Sequence, residues 1–282
     1  MNVPTLLFCV GATKAGTSWL YRYLEDHPAC FTPVIKELHF FDAVETGKMD
    51  GTRQRVLERR QKLVRNQAPR ETIASLDRWL DVLDAPSDRA YLDYMTAAAG
   101  AKPVMVDVTP AYSLLPVERL RSMAQLLPDV RFIYLLRGPV ERLWSHIRMI
   151  AKGRGGDAGD LREVADRKLK RFLRGEELGI EDRGDYRSII ARLDAAIDPS
   201  RLFLAFYETL FSQSQIDRLC AFIGIDAVEA KFDRRVHEGV CLDMTEDQKM
   251  RARAYLAPQY EFAAERLGSL PEAWQANMMG AR

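Results

Sequence analysis

Cysteine is scarce in this chain and poorly spaced for chemistry. Its four cysteines, Cys9, Cys30, Cys220 and Cys241, form no CxxC pair, which argues against a zinc site or a disulfide framework. Cys9 lies in an apolar run and reads as a small buried hydrophobe. Net charge is equally sparse: 41 Lys and Arg against 40 Asp and Glu leave +1. Nothing global draws such a chain to nucleic acid or to a membrane surface, so any basic site must be local. No apolar run approaches the ~18 residues of a spanning helix. The apolar run over residues 5–10 is too short for a secretion signal and has no basic leader. Internal repeats and low-complexity tracts are also missing. What remains is a cytoplasmic globular protein whose 47% hydrophobic content, over 282 residues, suffices for one large domain or two small ones.

The apolar runs are short and regularly followed by polar turns. Residues 5–10 are continuously apolar, as expected of a parallel strand covered on both faces. A glycine-bearing turn follows, then a helical pattern through Trp19, Leu20, Tyr23 and Leu24 that stops before Pro28. The same pattern recurs where residues 104–106 run into Asp107-Val-Thr-Pro110, where 131–136 run into Arg137-Gly-Pro139, and where 202–206 run into Tyr207-Glu208. Strands separated by helices predict an α/β fold with a central, mostly parallel sheet. Ligands of such sheets bind beyond the carboxyl ends of the strands, where these polar clusters fall. Residues 47–102 break the strand rhythm and read as a helical insertion beside the site. Residues 153–160 read as a glycine-rich loop, and 245–267 as a helix interrupted or kinked at Pro258.

The strongest motif is Gly11-Ala-Thr-Lys-Ala-Gly-Thr-Ser18, set between a buried strand and a helix. Its glycines let successive backbone N–H groups face one anion, and the helix N-terminus adds its dipole. Thr17 and Ser18 add hydroxyl donors, and Lys14 adds a full positive charge. A Walker A loop has lysine directly after its second glycine; here Lys14 precedes Gly16 by two residues.

This loop resembles the Gly-x-x-Lys-x-Gly-Thr loop of sulfotransferases that use 3′-phosphoadenosine-5′-phosphosulfate (PAPS). Lys36-Glu-Leu-His-Phe-Phe-Asp42 and Asp107-Val-Thr-Pro-Ala-Tyr112 are similar to segments of the heparan-sulfate branch of that family. The resemblance implies a single sulfotransferase domain of P-loop-like fold over residues 1–282, with PAPS as co-substrate and no required metal. It also implies a 5′-phosphosulfate site at Gly11, Thr13, Lys14, Ala15, Gly16, Thr17 and Ser18. Arg137 and Ser145 match the family's 3′-phosphate pair. The chemistry agrees, because an arginine at a strand end forks onto phosphate oxygens and Ser145 lies about two helical turns further on. Tyr186 matches a position close to the cofactor, where its ring packs on adenine or belongs to the core. The basic closing loop of the family has only a weak counterpart in Arg234-Arg-Val-His-Glu-Gly239. Arg234, Arg235 or His237 stands in there, or the loop is incomplete.

Transfer of a sulfo group needs a base for the acceptor's proton and a cation near the leaving oxygen. Glu37 matches the base and Lys14 the cation. With residues 36–41 extended, Glu37 and His39 would share one face, and His39 would orient Glu37 or the acceptor; Asp42 supports them. Seven basic residues (Arg53, Arg55, Arg59, Arg60, Lys62, Arg65, Arg70) stand against one acid, Glu58, and a second basic stretch spans residues 162–174. They either attract an anionic acceptor or form a solvated helix face. The acceptor is a small molecule, a lipid or a glycan, not nucleic acid. Two other readings are a P-loop kinase or NTPase, for which Asp107 is the formal Walker-B candidate, and a nucleotide-binding module without catalysis.

Overall fold

The computed structural model describes residues 4–153, 158–233 and 242–279. Five strands form one parallel sheet in the order β2-β3-β1-β4-β5: β1 (Thr5–Gly11), β2 (Cys30–Phe31), β3 (Val104–Val108), β4 (Val130–Leu136) and β5 (Leu202–Phe206). All of β1 is buried, as its position between β3 and β4 requires. Every side chain of a central strand in such a sheet faces a layer of helices on one side or the other. The apolar runs of the sequence therefore mark four of the five strands; β2, at two residues, is too short to leave a signature.

The helices are α1 (Thr17–Asp26), α2 (Phe40–Thr46), α3 (Met49–Arg65), α4 (Arg70–Asp84), α5 (Asp88–Ala99), α6 (Val117–Ala124), α7 (Pro139–Gly153), α8 (Ala158–Phe172), α9 (Leu178–Glu181), α10 (Tyr186–Ala196), α11 (Tyr207–Leu210), α12 (Gln213–Ile223), α13 (Glu246–Leu267) and α14 (Glu272–Met279). Helix α13 starts with a capping box between Thr245 and Gln248. It continues through Pro258 rather than breaking there, correcting the sequence expectation of an interruption. Among the described residues, no helix is long and apolar enough to cross a membrane.

One aromatic cluster fixes the geometry of the site. Phe8 of β1 packs against Phe41, Tyr91, Tyr112 and Phe132 with ring centroids 5.3–6.4 Å apart. Phe40 packs against Phe41 and Tyr91. Each fully buried aromatic contributes roughly 1.5–3 kcal/mol. Phe40 and Phe41 thus pin the start of α2, and with it the polar residues that precede it, to the carboxyl edge of the sheet.

Candidate active site

Immediately after β1 the chain turns through residues 12–16 and enters α1 at Thr17. Gly16 caps that helix at φ 93°, a backbone state that side chains rarely adopt. A Cβ at Gly16 would also lie 2.9 Å from the Tyr207 ring. The first amides of α1 have no intrahelical carbonyl to bond, so they face outward from the loop with the positive end of the helix dipole behind them. Ala15 and Thr17 are buried; Thr13, Lys14, Gly16 and Ser18 are partly exposed. Lys14 adopts φ 72°. Burial lowers its ammonium pKa, and the charges of Arg137, Arg148 and Lys36 lower it further. An anion would relieve that crowding of like charges.

Arg137 follows β4 and joins this loop directly. Its Nη1 donates to the carbonyl of Lys14 at 3.1 Å, and its guanidinium lies 4.4 Å from the centroid of the Tyr207 ring. Its backbone is clasped by Tyr186, whose hydroxyl accepts from the Arg137 N–H at 3.1 Å and donates to the Arg137 carbonyl at 2.5 Å. The Tyr186 ring is fully buried between Tyr134 and Trp274. It therefore offers no free face to an adenine, correcting the alternative in which it packs on the base; it acts through Arg137. Helix α7 begins at Pro139, and Ser145 lies buried in its second turn. Arg234, Arg235 and His237 lie outside the described residues.

The segment before α2 is not extended. Glu37 and His39 have φ 66° and 53°, and the helix begins at Phe40. Two left-handed residues separated by Leu38 wind the chain so that both polar side chains still meet. His39 Nε2 lies 3.5 Å from Glu37 Oε2, and Nδ1 lies 2.7 Å from Asp42 Oδ2. Lys36 Nζ contacts Glu37 Oε1 at 2.5 Å. Burial pushes the Glu37 carboxyl up, but the bond from His39 and the charge of Lys36 outweigh it and hold the pKa at about 2. Burial pushes His39 down, while its bonds to Asp42 and Glu37 raise it to about 9. Of the four described non-glycine residues with positive φ, three are Lys14, Glu37 and His39. Such backbone costs of order 1–3 kcal/mol per residue and persists where the surroundings over-determine it.

The buried Asp107 supports this turn from below. It accepts from Tyr91 at 3.0 Å, Thr109 at 2.6 Å and Tyr112 at 3.1 Å. The Tyr112 hydroxyl in turn accepts the backbone N–H of Phe40 at 3.1 Å. Both oxygens of Asp107 are occupied by protein hydroxyls, so it has the surroundings of a structural carboxylate rather than of a Walker-B metal ligand.

Several neighbours escaped the sequence reading. Tyr207 and Glu208 stand at the end of β5, where a strand-end cluster was visible but carried no role. Glu208 Oε1 accepts the Gly138 N–H at 2.8 Å, fixing the turn after Arg137. From Tyr207 an aromatic wall runs through Phe211 and Trp19 to Phe232, with centroid spacings of 5.0, 5.2 and 5.8 Å. It borders a cavity of about 420 Å³ lined by Trp19, Tyr23, Arg22 and Lys231. Arg183 reaches Thr13 Oγ1 at 3.4 Å. His146, on α7, is pushed down to about 3 by burial and by Arg142, Arg183 and Lys14.

A parallel sheet whose central strand ends in a glycine-bearing loop and a helix defines a P-loop-like α/β protein. The chain belongs to the sulfotransferase family, whose model matches residues 4–229. No curated protein matches it. Among solved structures it is similar to a sulfotransferase from Alicyclobacillus acidocaldarius, with 21% identity and a TM-score of 0.61 over 98% of this chain and 100% of that one. It is also similar to the sulfotransferase domain of the Synechococcus PCC 7002 olefin synthase, with 19% identity and a TM-score of 0.50 over 82% of this chain and 77% of that one. The sulfotransferase domain of the curacin biosynthetic pathway gives 16% identity and a TM-score of 0.51 over 89% of this chain and 78% of that one.

Proposed function

We propose that this sulfotransferase takes its sulfo group from PAPS and delivers it to a hydroxyl or amine of an acceptor held beside Glu37. The observation that carries the reading is the bond from Arg137 to the Lys14 carbonyl. It joins the glycine-bearing loop and an arginine at one edge of the sheet, as a donor with phosphate groups on both the 3′ and the 5′ positions of one ribose requires. The loop amides, Lys14, Thr17 and Ser18 would hold the 5′-phosphosulfate, and Arg137 with Ser145 the 3′-phosphate. The donor, when bound, supplies an activated sulfo group.

The protein's own residues do the rest. Lys14 meets the charge that grows on the leaving phosphate oxygen. Glu37, ionised at neutral pH, takes the acceptor's proton as the acceptor attacks, and His39, anchored by Asp42, orients Glu37 and balances its charge. The Glu37 assignment follows the resemblance to the heparan-sulfate branch. Among the described residues, the free, buried thiols Cys9, Cys30 and Cys220 fit a reducing compartment such as the cytoplasm. Transfer of labelled sulfo groups from PAPS to a panel of glycans, lipids and small alcohols tests the reading. A labelled acceptor is the expected result; failure across the panel, with transfer instead of a phosphoryl group from ATP, would overturn it.

A further inference from the structure

Beside the Glu37–His39 pair lies a cavity of about 220 Å³, lined by Ile35, Lys36, Leu38 and the α3 residues Thr52, Arg55, Val56 and Arg59. The α3 residues recur at spacings of three and four, so they form one face of that helix. Thr52 and Val56 are buried against the domain, while Arg55 and Arg59 are exposed at the cavity. Two further arginines of α3 are engaged elsewhere: Arg53 pairs with Asp84 and Arg60 with Asp77, both carboxylates on α4. Arg55 bonds only to Thr52 Oγ1 at 2.8 Å and the Gly51 carbonyl at 3.3 Å. Among the described residues neither Arg55 nor Arg59 has a carboxylate partner. The cavity wall thus carries Lys36, Arg55 and Arg59 against a single acid, Glu37, which Lys36 and His39 already neutralise.

We propose that Arg55 and Arg59 recognise an anionic group (phosphate, sulfate or carboxylate) on a compact acceptor whose hydroxyl faces Glu37. This rests on the transfer reading above and names its acceptor class. Guanidinium groups suit such an anion because they present paired donors in a plane. At about 220 Å³ the cavity has room for one sugar-sized or smaller unit, below the ~300–1,000 Å³ of pockets for drug-sized ligands. An anion seated there also competes for Lys36, drawing it from Glu37 Oε1.

The test is calorimetric titration with a matched pair, glycerol 3-phosphate and glycerol. 3′-Phosphoadenosine-5′-phosphate is held saturating, so that the Lys14 loop and Arg137 are already filled. Glycerol 3-phosphate is expected to bind and glycerol not. Arg55→Gln/Arg59→Gln should weaken glycerol 3-phosphate at least tenfold, while nucleotide affinity stays within twofold. Arg53→Gln, which removes one positive charge from the α4-facing side, should leave both unchanged. Equal binding of the pair, no binding of glycerol 3-phosphate, or an effect of Arg53→Gln as large as that of the double variant overturns the assignment. Should the nucleotide itself fail to bind wild-type protein, the donor reading falls instead. The same titration without nucleotide then still compares wild type with the double variant, and equal affinities there overturn the acceptor assignment.

Discussion

His39 Nε2 lies 3.5 Å from Glu37 Oε2, and each residue holds the other in its charged form. The stability consequences have opposite signs. His39 sits above its ordinary 6.5, at about 9, so its contribution is complete below pH 6.5 and is lost as pH rises through 9. Glu37 sits below its ordinary 4.5, at about 2, so its contribution is complete above pH 4.5 and is lost as pH falls through 2. The melting temperature of wild type minus that of His39→Gln should therefore shrink on the alkaline side. Turnover should stay flat across neutrality if Glu37 is the base. A rate that climbs with pH toward 9 would make His39 the proton acceptor.

Mutation of Glu37 and of Lys14 should separate base from electrostatic catalysis. Glu37→Gln keeps the shape and removes the base, so nucleotide affinity should persist while turnover falls by about 10²–10⁴-fold. Lys14→Ala should damage both nucleotide binding and turnover, because its charge faces the donor throughout. Near-normal turnover of Glu37→Gln at saturating acceptor would remove Glu37 from the mechanism.

Nucleotide choice tests the Arg137 site. Binding to the native state raises its stability, so 3′-phosphoadenosine-5′-phosphate should raise the melting temperature well above the rise given by AMP. Arg137→Ala should erase that preference and leave the fold intact, since the Tyr186 clasp uses only the backbone of Arg137. Equal stabilisation of wild type by AMP would contradict the 3′-phosphate assignment.

Tyr112→Phe probes the support beneath the turn. The substitution removes the hydroxyl that accepts the Phe40 N–H and one of the three donors to Asp107. Leaving a buried donor unpaired costs about 1–3 kcal/mol, to be read from denaturant midpoints. Because the Phe40 N–H lies next to His39, turnover should fall further than nucleotide affinity. A variant as stable and as active as wild type would show that the aromatic packing alone holds the turn.

Much of the site was legible because its parts are contiguous. The loop from Gly11 to Ser18 and the Arg137 turn each follow a continuous apolar run, and such runs have few alternatives to a central parallel strand. The sequence alone therefore places Lys14, Thr17, Ser18 and Arg137 at one sheet edge. What the sequence could not decide rests on contacts between distant residues. An extended segment would put Glu37 and His39 on one face, but the burial of Phe40 and Phe41 among Phe8, Tyr91 and Tyr112 sets the backbone there. Tyr186 became a clasp rather than a stacking face only through its position between Tyr134 and Trp274. The basic run of α3 looked uniform along the chain. Only its packing against α4 separated the arginines neutralised by Asp77 and Asp84 from the two that face the cavity, because a helix shows its periodicity in sequence but not which neighbour covers each face.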